Sequence, residues 1–249
     1  MNADKYLEDP VIAQYKSYLM LERSFSENTE LSYLEDLSKL IDYLSDAHIS
    51  YLEASSEVLQ DFLIDISEIG IAQRSQARII SGIKSFYKFL LAENLIEIDP
   101  TELISSPKLP RHLPNVLTLD EINAIINSVD LSDPLGHRNR AILETLYSCG
   151  LRVSELVNLK ISNLFLQEEY ISVVGKGNKQ RLVPISPKAI HEIQNWIKDR
   201  NHLVIEKGNE DFLFLNRRGK KLTRVMIFYI VKEHAEKANV LKEKYPQVL

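Results

Sequence analysis

The 249 residues hold 30 lysines and arginines against 35 aspartates and glutamates, a formal charge of −5, with 45% of residues hydrophobic and 26% charged. That balance excludes a disordered polyelectrolyte, and the length fits one large domain or two of ordinary size with a sizeable core. The single cysteine, Cys149, excludes an intramolecular disulfide and a multi-cysteine zinc site and favours a reducing, cytoplasmic setting. The opening MNADKYLEDP carries acids where a secretory signal needs a basic and then an apolar run. No stretch approaches the ~18 apolar residues of a membrane span, so no membrane partner is expected. An acidic total also argues, at first sight, against nucleic acid.

In chain order, residues 10–22 alternate apolar and polar at helical spacing. Residues 28–46 start with Asn28 or Thr29 as cap candidates, and Leu31, Leu34, Leu37, Leu40, Ile41 and Leu44 form a stripe to be buried. Helices over 56–69 and 73–93 complete a four-helix bundle. The segment 105–114, SSPKLPRHLP, holds three of the nine prolines and reads as an extended linker. Thr118 and Glu121 spell a capping box opening a helix to about Val129. Residues 137–149 form a helix stopped near Gly150, and Ser154 to Leu159 form another. YISVV (170–174), GKGN (175–178) and QRLVP (180–184) read as strand, tight turn and returning strand. A helix from about Pro187 to Asp199 follows, then a short strand FLFL (212–215), a turn NRRG (216–219) and a final helix over 223–238.

The charge is unevenly spread. Residues 1–110 hold 9 bases and 19 acids, net −10, while residues 111–249 hold 21 and 16, net +5. The asymmetry supports a boundary at the proline segment. Within the acidic half, Gly70 to Ala92 contains four bases and no acid: Arg74, Arg78, Lys84 and Lys88. At 100° per residue they fall in an arc of roughly 120°, opposite Ile79, Ile83, Phe86, Tyr87 and Leu90. The expected arrangement is a helix that packs one face and offers a basic ridge suited to phosphates.

Two clusters carry the chemistry, YSCGLRVSELVNLK (147–160) and VVGKGNKQRLVPI (173–185). They match a G-L-R-x-S-E-L-x-x-L box and a G-K-G-x-K-x-R-x-V-P hairpin. Together they resemble the tyrosine recombinase (phage integrase) family, most closely its Xer-type site-specific recombinases. Upstream, residues 77–118 are similar to the end of that family's core-binding domain and its linker, and NTELSYLEDL (28–37) to its T-x-x-x-Y-x-x-D-L. The resemblance covers about residues 10–240. It implies a mainly α protein: an N-terminal four-helix SAM-like core-binding domain (1–104), a linker (105–114) and an α-rich catalytic domain with a small antiparallel sheet (115–249), incomplete at its C-terminus.

The same resemblance implies a tyrosine that attacks a backbone phosphate of DNA, giving a 3′-phosphotyrosyl link and a free 5′-hydroxyl. Arg152 matches the first catalytic arginine, and a rigid guanidinium suits the charge on the non-bridging oxygens. Glu155, one turn along the same helix face, would orient the site, and Lys176, on the hairpin turn, would be the general acid. No metal or other cofactor is implied, and His48, His112, His137, His191, His202 and His234 lack ligand spacing. The GKG turn is no P-loop, and G-x-S-x-G is absent. Basic DNA-contact candidates in the second domain are Lys179, Arg181, Arg217, Arg218, Lys220, Lys221 and Arg224. The implied partners are duplex DNA and a second recombinase subunit, assembled as a tetramer.

Two departures from the family pattern matter. The tail NVLKEKYPQVL (239–249) holds no complete H-x-x-R and no tyrosine placed as a nucleophile. Pro246–Leu249 resembles the family's P-H-x-L with Gln247 in the histidine's place, and Tyr245 stands before it. The expectation is a C-terminally truncated recombinase that binds DNA without cutting it, assembles poorly and exposes apolar surface at the broken edge. The other departure is that Leu34 and Glu35 follow the motif tyrosine where bases are usual, which shifts expected binding onto the 74–88 ridge. A catalytically silent DNA-binding protein and a mobile-element integrase, rather than a chromosome-dimer resolvase, remain open alternatives.

Overall fold

The computed structural model describes residues 6–23, 25–109 and 116–240, Lys176 by its backbone only. The chain divides into two compact units, residues 1–111 and 112–249. Each has its own apolar core.

The first unit is built of α1 (Pro10–Leu21), α2 (Glu27–Asp46), α3 (Ser56–Glu68) and α4 (Gln73–Ala92). Asp9 caps α1 through Val11 N–H at 2.8 Å, with Pro10 in the first helical position, where a missing N–H costs nothing. α2 starts earlier than Asn28 or Thr29: Ser26 is its cap, and its hydroxyl pairs with that of Thr29 at 2.9 Å. Leu34, Leu37, Leu40 and Leu44 are buried as the spacing predicts, but Leu31 is exposed and Ile41 only partly covered. The same helix buries Glu30, Asp36 and Ser38. α4 buries the five predicted residues and also Ile80 and Phe89, so its packed face is wider than the sequence arc. It approaches α2 closely because Gly82 has no side chain: a Cβ there would lie 3.7 Å from Asp36 and Tyr33. Tyr15 of α1 packs edge-on against Phe86 at 5.1 Å and donates to the Gly82 carbonyl at 3.3 Å.

The second unit opens with α5 (Leu119–Asn127), whose Thr118–Glu121 capping box is formed. α6 (Gly136–Cys149) buries an unbroken run from Ala141 to Leu146 and packs against α8 (Pro187–Arg200). Gly150 ends α6 at φ 56°, a left-handed turn that glycine adopts freely. α7 (Val153–Val157) follows at once. Next come β1 (Leu164–Phe165), β2 (Tyr170–Val174) and β3 (Gln180–Pro184), an antiparallel sheet in that order. In β2–β3, Ile171 faces Val183 and Val173 faces Arg181. α9 (Arg224–Lys237) is capped by Thr223.

Two sequence expectations shift here. β1 carries no periodic signal in two residues. FLFL (212–215) is not a strand of the sheet and makes isolated bridges, Phe212 with Lys160 and Leu215 with Lys221. Its carbonyls go elsewhere. Arg200 Nη2 donates to Phe212 O at 2.9 Å, Trp196 Nε1 to Leu213 O at 2.8 Å, Leu222 N–H to Phe214 O at 3.3 Å and Arg138 Nη1 to Leu215 O at 3.1 Å. Each of the four carbonyls thus has a partner outside the three-stranded sheet.

Gly136 is pressed against the preceding loop. A Cβ there would collide with the Asp130 carbonyl oxygen and lie 2.9 Å from Leu131 Cα, both backbone. Gly136→Ala is expected to destabilise the second unit by about 2 kcal/mol in urea unfolding, whereas no change would mean that the loop yields freely.

Candidate active site and nucleic-acid interface

α6 closes at Gly150, Leu151 is buried, and Arg152 is the N-cap of α7. Arg152 thus precedes the helix rather than sharing a face of it with Glu155. Its backbone is extended while Glu155 sits at the third helical position. There the Glu155 carboxylate accepts Arg152 N–H at 2.9 Å, the reciprocal arm of an N-terminal cap.

Glu155 is only 4% exposed yet ionised. Arg181 on β3 grips it with two parallel bonds, Nη1 to Oε1 at 2.7 Å and Nη2 to Oε2 at 2.9 Å. Arg152 Nη1 adds a fourth donor at 3.1 Å. The Arg181 bonds are the main reason the Glu155 carboxyl is held down to about 2, against burial that pushes it up. The side chain of Arg152 remains 70% exposed. A guanidinium tethered by one N–H and otherwise in water is equipped to take an anion bidentately.

The hairpin reaches this cluster at its base. Gly175 N–H donates to Lys179 O at 2.8 Å, and the 3₁₀ turn Lys176–Asn178 crosses φ 72° at Gly177. A Cβ on Gly175 would lie 2.9 Å from Arg181 Nη1 and 3.3 Å from Glu155 Oε1. Absence of a side chain at Gly175 therefore lets the turn that carries Lys176 lie against the Glu155–Arg181 pair. The structure brings Arg152, Glu155, Arg181 and the Lys176 backbone together, although the first two and last two stand far apart in the chain.

The other basic candidates are dispersed. Lys179, Arg217, Arg218 and Arg224 are exposed. Lys220 pairs with Glu206 at 3.0 Å, and Lys221 bonds Asn158 at 2.6 Å while lying over the Phe212 ring. Arg224 borders a groove of about 400 Å³ lined by Leu146, Val153, Val225, Ile227 and Phe228. Along α9, Val225, Met226, Phe228 and Tyr229 are exposed. Tyr245 and Gln247, like the end of the linker at 110–114, lie outside the described residues.

In the first unit, Arg74 and Lys88 of the ridge are exposed, and Arg78 and Lys84 are half-buried. Arg78 is anchored: its Nη1 lies 2.8 Å from Asp36 Oδ2 and donates to Ser32 O at 3.2 Å. Lys39 bonds the other oxygen of Asp36 at 3.2 Å. Asp36 is wholly buried, and burial pushes its carboxyl up while Lys39 and Arg78 oppose it. On the same helix, the buried Glu30 lies 3.7 Å from Lys16.

Sequence reasoning held Asp36 only as the D of the T-x-x-x-Y-x-x-D-L match, without its burial, and missed Lys39 and Arg138. Lys39 was legible only as the i, i+3 partner of opposite charge to Asp36. Arg138 is 4% exposed, and burial pulls it down to about 10. With Arg217, Arg218, Asn139 and Asn216 it lines a cavity of about 560 Å³ that also holds Asp133 and Glu233. Among the described residues there is no group of three or more His, Cys, Asp or Glu side chains arranged to hold a metal ion, and no helix is long and apolar enough to cross a membrane.

The phage integrase family model matches residues 115–247, and the model of the phage integrase N-terminal SAM-like domain matches residues 12–94. The chain is 39% identical over 246 residues to tyrosine recombinase XerD of Yersinia pestis, covering 98% of this chain and 82% of that protein. It is 36% identical over 242 residues to XerD of Staphylococcus aureus, covering 97% and 82%. Among solved structures, the XerH site-specific recombinase bound to a palindromic difH substrate in its post-cleavage complex shares the fold, with a TM-score of 0.70 and 22% identity over 87% of this chain and 64% of that one.

Glu155 predicts an acid dependence. Its folded pKa lies below the ordinary glutamate value of 4.5. The stability it contributes is therefore complete above about pH 4.5 and lost as the pH falls toward about 2. Glu155→Gln is expected to cost on the order of 3 kcal/mol at neutral pH. Urea unfolding at stepped pH should show that gap closing over the acid window, and a gap that stays constant would detach the effect from Glu155 ionisation.

Proposed function

The chain belongs to the phage integrase family of tyrosine recombinases, and on that premise we propose that it serves site-specific recombination of duplex DNA, as an Xer-type strand-exchange enzyme. The observation that carries this reading is the single cluster in which one buried carboxylate joins the Arg152 end of α7 to the base of the hairpin bearing Lys176. In this reading Arg152 clamps the non-bridging oxygens of the scissile phosphate as negative charge builds there, Lys176 protonates the leaving 5′-oxygen, and Glu155 holds the arginine at its base. The attacking tyrosine gives up its hydroxyl proton to a base or solvent and forms the 3′-phosphotyrosyl bond as the 5′-oxygen departs with the Lys176 proton. The XerD relatives, at 39% and 36% identity, support an Xer-type role over a mobile-element integrase. A cytoplasmic location and assembly on DNA with a second recombinase subunit belong to the same proposal.

Tyr245 is not proposed as the nucleophile, because it precedes the Pro246–Leu249 segment that the family's tyrosine follows. Residues 1–249 taken by themselves are thus expected to bind duplex DNA and leave it uncut. Incubated with a nicked suicide duplex it should give no covalent protein–DNA band, and such a band would show a nucleophile within these residues.

Binding is tested on the ridge. Reversing Arg78 would set a new carboxylate against the buried Asp36, so the informative variants are the exposed Arg74→Glu and Lys88→Glu. Together they are expected to weaken binding to any duplex and to lower the slope of log K against log salt by about 2. An unchanged slope would remove α4 from the interface.

A further inference from the structure

Arg181 stands out among the basic candidates because both terminal nitrogens of its guanidinium already hold Glu155. We propose that Arg181 is a positioning residue rather than a DNA contact: by saturating Glu155 it keeps the guanidinium of Arg152 free to face a phosphate, and it fixes the base of the Lys176 hairpin. The inference rests on the DNA-recombination reading above and concerns the same site.

A carboxylate offers about four lone-pair positions. Glu155 fills them with two bonds from Arg181 and two from Arg152, one of the latter from backbone N–H. The Arg152 side chain has only the longest of the four, 3.1 Å, against 2.7 and 2.9 Å for the Arg181 fork. Without Arg181 the carboxylate would have two positions empty. The Arg152 guanidinium, already bonded to Glu155 Oε1 at 3.1 Å, is a donor within reach of them. Arg152 would then turn inward, pair bidentately and lose its exposed face. Arg181 thus acts on DNA through Glu155 and Arg152. The strand position supports this. Arg181 pairs across the ladder with Val173, and its Nη1 packs where a Gly175 side chain would stand. Its fork therefore also ties both arms of the hairpin to α7.

The test is a double-mutant cycle of Arg181→Gln and Glu155→Gln, read by fluorescence anisotropy on a labelled duplex of about 30 base pairs at low salt. Arg181→Gln is expected to weaken binding roughly tenfold in the native background, the size of one lost charge-assisted contact. Where Glu155 is already glutamine there is no carboxylate to recapture Arg152, and Arg181→Gln should then change affinity less than about twofold. An equal loss in both backgrounds would make Arg181 an independent DNA contact and overturn the proposal, as would no loss in either. A carbon-13 titration of the Glu155 carboxyl in DNA-free protein reads the same pair without DNA. Its midpoint should rise in Arg181→Gln, and an unchanged midpoint would show that Arg181 does not govern Glu155. If the native chain fails to bind duplex, the recombination reading falls and the titration alone decides the positioning role. Should Arg181→Gln fail to fold, Arg181→Lys keeps the charge without the fork and is expected to shift both measurements in the same direction by less.

Discussion

A carboxylate taken almost wholly out of water stays ionised only if cations and N–H groups replace its hydration, and Glu155 meets that demand with two arginines and a backbone amide. Much of the second unit is arranged around this requirement. α6 must stop at Gly150 so that the chain can re-enter a helix with Arg152 as its cap. β3 must be in register to send Arg181 across. A side chain at position 175 would press on the Arg181 fork. Each of these is a local choice, and together they bring two distant motifs into hydrogen-bond range.

The first unit repeats the device in a different setting. Asp36 is buried between α2 and α4 and holds Arg78 and Lys39 on its two oxygens. Such a pair is weak evidence for stability, since desolvation offsets much of the attraction, but it fixes where the cations stand. The ridge therefore combines one anchored arginine with exposed neighbours such as Arg74 and Lys88. An acidic domain can present a basic surface this way because charge is set locally and screened within about 10 Å at ordinary salt.

The helical architecture was legible because its signals are short-range. The leucines of α2, the apolar face of α4, the Thr118–Glu121 box and the alternation of YISVV each declare themselves within a few residues. The motifs containing Arg152 and Lys176 were legible as well, together with the family they resemble. What escaped was long-range. Nothing local marks Arg181 as the partner of Glu155, 26 positions away, so it looked like any solvent-facing base on a hairpin. Asp36 stood in the T-x-x-x-Y-x-x-D-L match with nothing local to mark it as wholly buried or as the partner of Arg78. Leu31 fits the helical stripe yet stays exposed, and Ile41 packs only partly against the core, while Glu30, Asp36 and Ser38 occupy part of the buried face. FLFL had the composition of a strand, but three of its carbonyls are bonded by side chains from elsewhere in the unit and the fourth by the Leu222 amide.

That last arrangement bears on how the molecule fails. A short apolar run with open backbone acceptors is a template for another chain to add to as a β-strand, and folded proteins commonly guard such edges with charge or cover. Here the guard is supplied by Trp196 and Arg200 of α8, Arg138 of α6 and the Leu222 amide. Resistance to aggregation is thereby coupled in part to α8: its Trp196 and Arg200 seal the Leu213 and Phe212 carbonyls, and loss of that helix's docking would open those two acceptors to another chain.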